Sequence, residues 1–280
     1  MKISLGSFLV VVIAWLIIAP GCMQFRISDS EATKQFKEAG VPLTIQTVKV
    51  DKHNLHYTQT GSDTLPTILF VHGSPGSWNA FARYMQDKDL LSKFRMISVD
   101  RPGFGYSDYG KAESLAQQSA LISPLFATWK NGKPFYLVGH SLGGPLIIQL
   151  VADNPGIADA LVLLAASVDP AEEKKEGWRS VLDGSVLRYF IPGAFKPSNT
   201  ELLYFKKDVI AMQDCFDDVT CRVYIVHGTK DTFVPPGNAA YAAKKLVNAS
   251  FIETVMIPDA NHFIPWQHYD TIKAVLMKLY

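Results

Sequence analysis

The stretch Phe135-Tyr-Leu-Val-Gly139-His140-Ser141-Leu142-Gly143-Gly144 constrains the fold more than any other part of this chain. An apolar run of β type, Phe135 to Val138, leads into Gly-His-Ser-Leu-Gly, and a helical pattern follows from Leu142 to Ala152. A serine flanked at two residues on each side by glycine, between a strand and a helix, marks a sharp, strained turn. Such a turn holds the hydroxyl out at the carboxyl edge of the strand. Gly139 and Gly143 suit places where the strand and helix backbones approach closely. The helix N-terminus beneath Ser141 offers free N–H groups to developing negative charge.

A serine hydroxyl is a weak nucleophile; it needs a base, and the base needs an orienting acid. This type of turn predicts the chain order serine, then carboxylate, then histidine. Val223-Tyr-Ile-Val226 reads as a buried strand and runs into His227-Gly-Thr-Lys-Asp231. Phe251 to Ile257 reads as the next strand and runs into Pro258-Asp-Ala-Asn-His262. Asp231 and His262 therefore lie just past strand carboxyl ends, where open α/β sheets gather their functional groups. Asp231 is favoured because its tight turn aims a carboxylate. Asp169, after the strand Leu161-Val-Leu-Leu164, and Asp259, beside His262, compete with it. His72, His140 and His227 adjoin glycines in turns and read as structural, whereas His53, His56 and His268 read as solvated or edge positions. An oxyanion site needs two N–H donors. The residue after the serine, Leu142, supplies one. The loop His72-Gly73-Ser74-Pro75-Gly76, after the strand Thr67-Ile-Leu-Phe-Val71, supplies the other at Ser74.

These segments, with Asp100-Arg101-Pro102-Gly103-Phe104-Gly105-Tyr106-Ser107 and Asn261-His262-Phe263, occur in an order that resembles the α/β-hydrolase fold superfamily across about residues 42–280. The resemblance implies an α/β fold: a mostly parallel central sheet with helices on both faces and a small helical cap insertion. It implies an esterase- or lipase-like serine hydrolase that cleaves a carboxylic ester or related acyl bond of a small molecule through an acyl-enzyme, with Ser141, His262 and Asp231 as a triad. Relatives apply the same triad to C–C bonds, thioesters and amides, or transfer acyl groups, so C–C bond hydrolysis of a dienoic ketone and acyl transfer stand as alternatives. Some members take the acid from the earlier strand, which keeps Asp169 open. Haloalkane dehalogenases and epoxide hydrolases place an aspartate at the elbow, and Ser141 disfavours both. A non-catalytic binding protein that kept the fold is a reading from another class, against which the intact serine, aspartate and histidine argue. The chemistry calls for no cofactor, and no metal-ligand cluster shows in the sequence.

The 280 residues allow one large domain with an inserted cap, and 48% hydrophobic residues suffice to cover a sheet on both faces. A net charge of +1 without basic runs gives no support for nucleic-acid binding. Lys2, the apolar stretch Ile3 to Ala19 and Pro20-Gly21-Cys22 read residues 1–21 as a signal peptide, with Cys22 as a lipidation site. An uncleaved signal anchor and soluble secretion are the other readings. The expected location is a bacterial cell envelope, membrane-anchored and facing the periplasm or exterior. Cys215 and Cys221 would then form an even pair, either disulfide-bonded or two free thiols.

Residues 22–41 read as a polar tether in which Ser28-x-x-Glu31 caps a short helix. Val48 to Tyr57 alternates about an Asp-Lys-His-Asn turn, so the domain opens with an antiparallel hairpin. Strands are expected near 67–72, 94–99, 135–140, 160–166, 222–227 and 250–257. Helices are expected near 78–87, 113–130, 142–153, 199–214, 236–247 and 266–279. Residues 169–206 interrupt the alternation and read as the cap, with Ser198-Asn-Thr-Glu201 as a capping box for the returning helix. Some of the cap's aromatic residues are expected to line an apolar pocket.

Overall fold

Eight strands form one sheet in the order β1-β2-β4-β3-β5-β6-β7-β8 in the computed structural model, which describes residues 5–173 and 176–280. Lys2 and Ile3 of the expected signal, and residues 174 and 175 of the expected cap, lie outside the described residues. β1 (Thr44–Val50) and β2 (His53–Thr60) make the expected hairpin, turning at Asp51, whose φ is +51°. β2 runs antiparallel to β4 (Arg95–Val99). β3 (Thr67–Val71), β5 (Phe135–His140), β6 (Ala160–Leu164), β7 (Arg222–Gly228) and β8 (Phe251–Ile257) are parallel to β4 and to one another.

Alternation within the parallel strands builds two cores. Leu69, Val71, Leu137, Leu161, Leu163 and Ile225 point into one. Ile68, Phe70, Val138, Val162, Leu164 and Val226 point into the other. A strand buried on both faces reads as a continuous apolar run, which explains why these segments show no polar alternation.

Helix α1 (Leu5–Ile18) carries no charge. Helix α2 (Asp29–Glu38) starts at Ser28, whose Oγ accepts the Glu31 N–H. Ala32 and Phe36 on α2 are fully buried, and Phe36 meets Trp78 at a ring separation of 6.0 Å. Burying a phenylalanine contributes about 1.5–3 kcal/mol, so α2 is docked on the sheet through this face. The core containing Leu69 is covered by α3 (Leu115–Ile122), α4 (Gly143–Asp153) and the later helix α7 (Gly237–Lys245). The opposite core is closed by α2, the Trp78–Phe81 turn and α8 (Tyr269–Met277).

The single helix expected over 113–130 is broken. α3 ends at Ile122, a 3-10 turn spans Ser123–Leu125, and one further turn covers Phe126–Trp129. Pro124 is responsible, because it lacks the N–H and crowds the preceding turn. Between β6 and β7 lie α5 (Gly177–Gly184), the 3-10 turn Val186–Phe190 and α6 (Phe195–Ala211). Ser198 and Glu201 do not form the expected capping box. α6 already begins at Phe195, upstream of the expected start, with Ala194 as N-cap and Pro197 in the first turn. Proline is tolerated there because that N–H has no intrahelical partner. Ser198 and Glu201 are consequently interior residues of α6, and both are buried. Of the aromatic residues in this insertion, Phe205 packs into the Leu69 core, while Trp178, Tyr189 and Tyr204 are exposed.

The N-terminal segment lies against this insertion. Gly193 N–H donates to Ala19 O at 2.9 Å, Ala194 N–H to Met23 O at 3.1 Å, and Trp15 Nε1 to Phe190 O at 3.0 Å. A Cβ on Gly193 would stand 1.9 Å from Cys22 O, so only glycine permits the approach. No disulfide joins Cys22, Cys215 and Cys221 among the described residues. Cys215 Sγ donates to Gln149 Oε1, and burial pushes the Cys221 thiol up to about 11.

Candidate active site

Ser141 sits between β5 and α4 with φ at +54°, a conformation costly for any residue with a Cβ. The sheet enforces it. Ser141 N–H donates to Leu164 O at 2.9 Å on the neighbouring strand, and its carbonyl accepts from Gly144 N–H at 3.0 Å. The flanking glycines are sterically required: a Cβ on Gly139 would lie 2.3 Å from Gly143 O, and one on Gly143 would lie 2.2 Å from Val71 O. Leu142 occupies the N-cap position of α4 and is buried.

The loops after β7 and β8 are stitched together. Thr229 N–H donates to Ile257 O, and Lys230 N–H to Ala260 O at 2.9 Å. Gly228 allows their backbones to cross, since a Cβ there would lie 2.4 Å from Ala260 O. This brings Asp231 Oδ2 to His262 Nδ1 at 2.7 Å. The other oxygen, Oδ1, accepts the N–H groups of Phe233 at 2.9 Å and Val234 at 2.8 Å. Burial alone would raise the Asp231 carboxyl, but hydrogen bonds from His227 and His262 outweigh it and hold the group well below the usual carboxylate range. With Nδ1–H given to a carboxylate, a neutral His262 keeps Nε2 as its acceptor. Asp169 instead accepts the Ala171 N–H in its own turn, and Asp259 is an exposed partner of Lys230.

His140 supports His262 from below. Its Nε2 donates to His262 O at 3.1 Å, and the two rings are 4.8 Å apart. Burial, reinforced by the neighbouring His262, pushes His140 down to about 3, so it is neutral at working pH. Ser141, next to His140, thus lies beside the His262 loop. Hydrogen bonds among the described residues join His262 to Asp231 but not to Ser141 Oγ.

The loop after β3 stands over the same turn. A Cβ on Gly73 would lie 2.9 Å from Ser141 Cβ. Ser74 follows, and its Oγ donates to Ser198 Oγ of α6 at 3.0 Å. The structure therefore gathers Ser74, Ser141, Leu142, Asp231 and His262 at the carboxyl edge of β3, β5, β7 and β8.

One histidine differs from its expectation. His56 is buried rather than solvated, because Asp100, Tyr106 and Asp29 of α2 close around it; its Nδ1 lies 2.8 Å from Asp100 Oδ2. Sequence reasoning also left Arg101 and Gln118 without roles and gave Glu201 only that of a cap, although all three are buried together next to Gly73. For Gln118 and Glu201 the only sequence signal is a polar residue at an inward position of a helix, visible once the helix start is known.

A family model described as the alpha/beta hydrolase fold matches residues 66–202. Epoxide hydrolase 1 of Caenorhabditis elegans is 31% identical over 118 residues, covering 41% of this chain and 28% of that protein. The lysophosphatidylserine lipase ABHD12 of Danio rerio is 29% identical over 191 residues, covering 64% of this chain and 47% of that protein. The chain thus spans less than half the length of either relative. An alpha/beta hydrolase fold protein from Burkholderia ambifaria shares the fold at a TM-score of 0.65 and 17% identity, over 83% of this chain and 97% of that one. With the sheet order and the serine turn, these likenesses show that the chain has the α/β-hydrolase fold.

Proposed function

We propose that this protein is a serine hydrolase that cleaves a carboxylic ester or related acyl bond of a small-molecule substrate. The observation that carries the reading is the Asp231–His262 hydrogen bond of 2.7 Å, held beside a serine locked at positive φ. In this mechanism Ser141 Oγ attacks the acyl carbon and its proton passes to His262 Nε2. The tetrahedral oxyanion is held by the N–H groups of Leu142 and Ser74. His262 then protonates the leaving alcohol, and water deprotonated by His262 releases the acid from the acyl-enzyme. Asp231 holds the imidazole in the required tautomer and stabilises its protonated form.

A fluorophosphonate probe with a panel of p-nitrophenyl esters tests the proposal. The wild-type chain should be labelled and should turn over at least one ester, whereas folded Ser141→Ala should do neither. Equal turnover by Ser141→Ala would remove the mechanism. Absence of labelling would favour a binding protein. Turnover of a dienoic ketone in place of esters, or capture of the acyl group by an added alcohol, would favour the C–C hydrolase or acyltransferase alternatives.

We further propose attachment to a bacterial envelope through the N-terminus, with Cys22 as the acylated residue. Among the described residues no helix is long and apolar enough to cross a membrane. The exposed apolar side chains of α1, including Val10, Val11 and Ile17, support a role in membrane targeting.

A further inference from the structure

We infer that Arg101 and Glu201 are a positioning pair that aims the Ser74 N–H at the reacting oxyanion, so that the inserted helix α6 helps to build the oxyanion site. This rests on the serine-hydrolase reading above.

The Gly73 carbonyl and the Ser74 N–H belong to the same planar unit, and in a trans peptide they point in opposite directions. Whatever fixes Gly73 O therefore fixes the direction of Ser74 N–H. Two donors grip Gly73 O: His72 Nδ1 at 2.7 Å and Arg101 Nη2 at 3.2 Å. His72 is itself oriented, because its Nε2 accepts the Arg101 backbone N–H at 3.0 Å. Burial, and then the Arg101 charge, lowers the His72 pKa well below its ordinary value, which keeps the ring neutral and able to make both bonds.

Arg101 is fully buried, and α6 supplies its counter-charge. Glu201 accepts both guanidinium ends, with Nη2–Oε2 at 3.0 Å. Gln118 of α3 closes the arrangement, accepting from Arg101 Nη1 and donating to Glu201 Oε1, each at 2.9 Å. One turn earlier on α6, Ser198 accepts from Ser74 Oγ. The same helix thus holds Ser74 through its hydroxyl and holds the preceding carbonyl through Arg101.

Stability alone does not require such a device. A buried ion pair gains little over well-packed apolar residues of similar volume, because desolvation of both charges offsets their attraction. What an apolar pair cannot do is donate to Gly73 O. That difference separates a positioning role from a packing role.

The test replaces both charges, Arg101→Met with Glu201→Leu, in the full chain. Thermal unfolding, kcat and KM for a p-nitrophenyl ester are measured, with affinity for a trifluoromethyl ketone. The ketone adds Ser141 Oγ to form a hemiketal oxyanion at the same place. The expected result is a folded protein with KM within about threefold of wild type, kcat lowered about 10–100-fold, and ketone affinity lowered in parallel. Should the double variant not fold, Arg101→Lys keeps the charge but loses the planar fork whose two nitrogens reach Glu201 and Gly73 O, and the same parallel loss is expected. A folded variant with unchanged kcat and ketone affinity overturns the inference and leaves the pair a packing feature. A wild-type chain that takes no fluorophosphonate and turns over no ester removes the serine-hydrolase reading itself, a result visible before any variant is made.

Discussion

Replacing Asp231 by asparagine tests the site with the smallest change of shape. The outcome follows from which oxygen accepts from which donor. Oδ1 accepts two backbone N–H groups, from Phe233 and Val234, and Oδ2 accepts His262 Nδ1. An asparagine has one acceptor oxygen and one NH2. Turning the NH2 toward the two backbone donors would strand both of them, at about 1–3 kcal/mol each. The amide oxygen therefore takes the Oδ1 position, and the NH2 faces His262 Nδ1. Nδ1 must then become an acceptor, which moves the ring proton to Nε2, the atom that should receive the Ser141 proton. The wrong tautomer should lower kcat by about 10³–10⁴, equivalent to about 4–5.5 kcal/mol of transition-state stabilisation. Ester turnover measures the loss, and nitrogen NMR of His262 reads the tautomer directly. Asp169→Asn is the control and should change kcat by less than about threefold, because among the described residues its carboxylate hydrogen-bonds within its own turn and not to His262. An Asp231→Asn variant within about tenfold of wild-type kcat, or an Asp169→Asn variant that loses activity, would refute the reasoning.

Three further outcomes follow from the same geometry. Ser141→Gly should abolish turnover yet raise stability by about 0.5–1 kcal/mol in urea titration, since glycine relieves the positive φ but loses more entropy on folding; a destabilised variant would contradict the strain. His72 and His140 both have lowered pKa values in the folded chain, so below their ordinary value of 6.5 the unfolded chain binds protons that the folded chain does not. Their contribution is therefore lost as pH falls below 6.5, by about 2 kcal/mol for His140 between pH 7 and 5 with His72 acting in the same direction, and Asp231 adds to the loss only below about 3.8; denaturant titrations at pH 7 and 5 check this. Intact mass spectrometry of membrane-extracted protein should show a chain beginning at Cys22 with added acyl mass, and Cys22→Ser should leave a longer, unacylated precursor; a chain that retains everything before Cys22 in both cases would mean an uncleaved anchor.

The sequence by itself determined what short-range sterics and periodicity control. Apolar runs such as Leu161–Leu164 and Val223–Val226 have no polar face to give to water, so they become interior parallel strands wherever they fall in the chain. Gly139 and Gly143 are legible because a two-residue spacing around Ser141 is needed for one backbone to pass another. Ser28 caps its helix because the cap bond spans three residues. Tertiary structure decided everything that depends on which loops cross. Asp231, Asp169 and Asp259 all follow strands, and only the stitching of the β7 and β8 loops brings one of them, Asp231, onto His262. His56 lies in the same kind of polar hairpin sequence as His53, yet burial against Asp100 depends on β2 joining β4, a partner about forty residues away. Ser198 and Glu201 look like a local cap, but Arg101 and Ser74, about a hundred residues earlier, claim both side chains. A hydrogen bond available within a turn competes with one supplied by a distant element, and a desolvated guanidinium that must be neutralised decides that competition in favour of the fold.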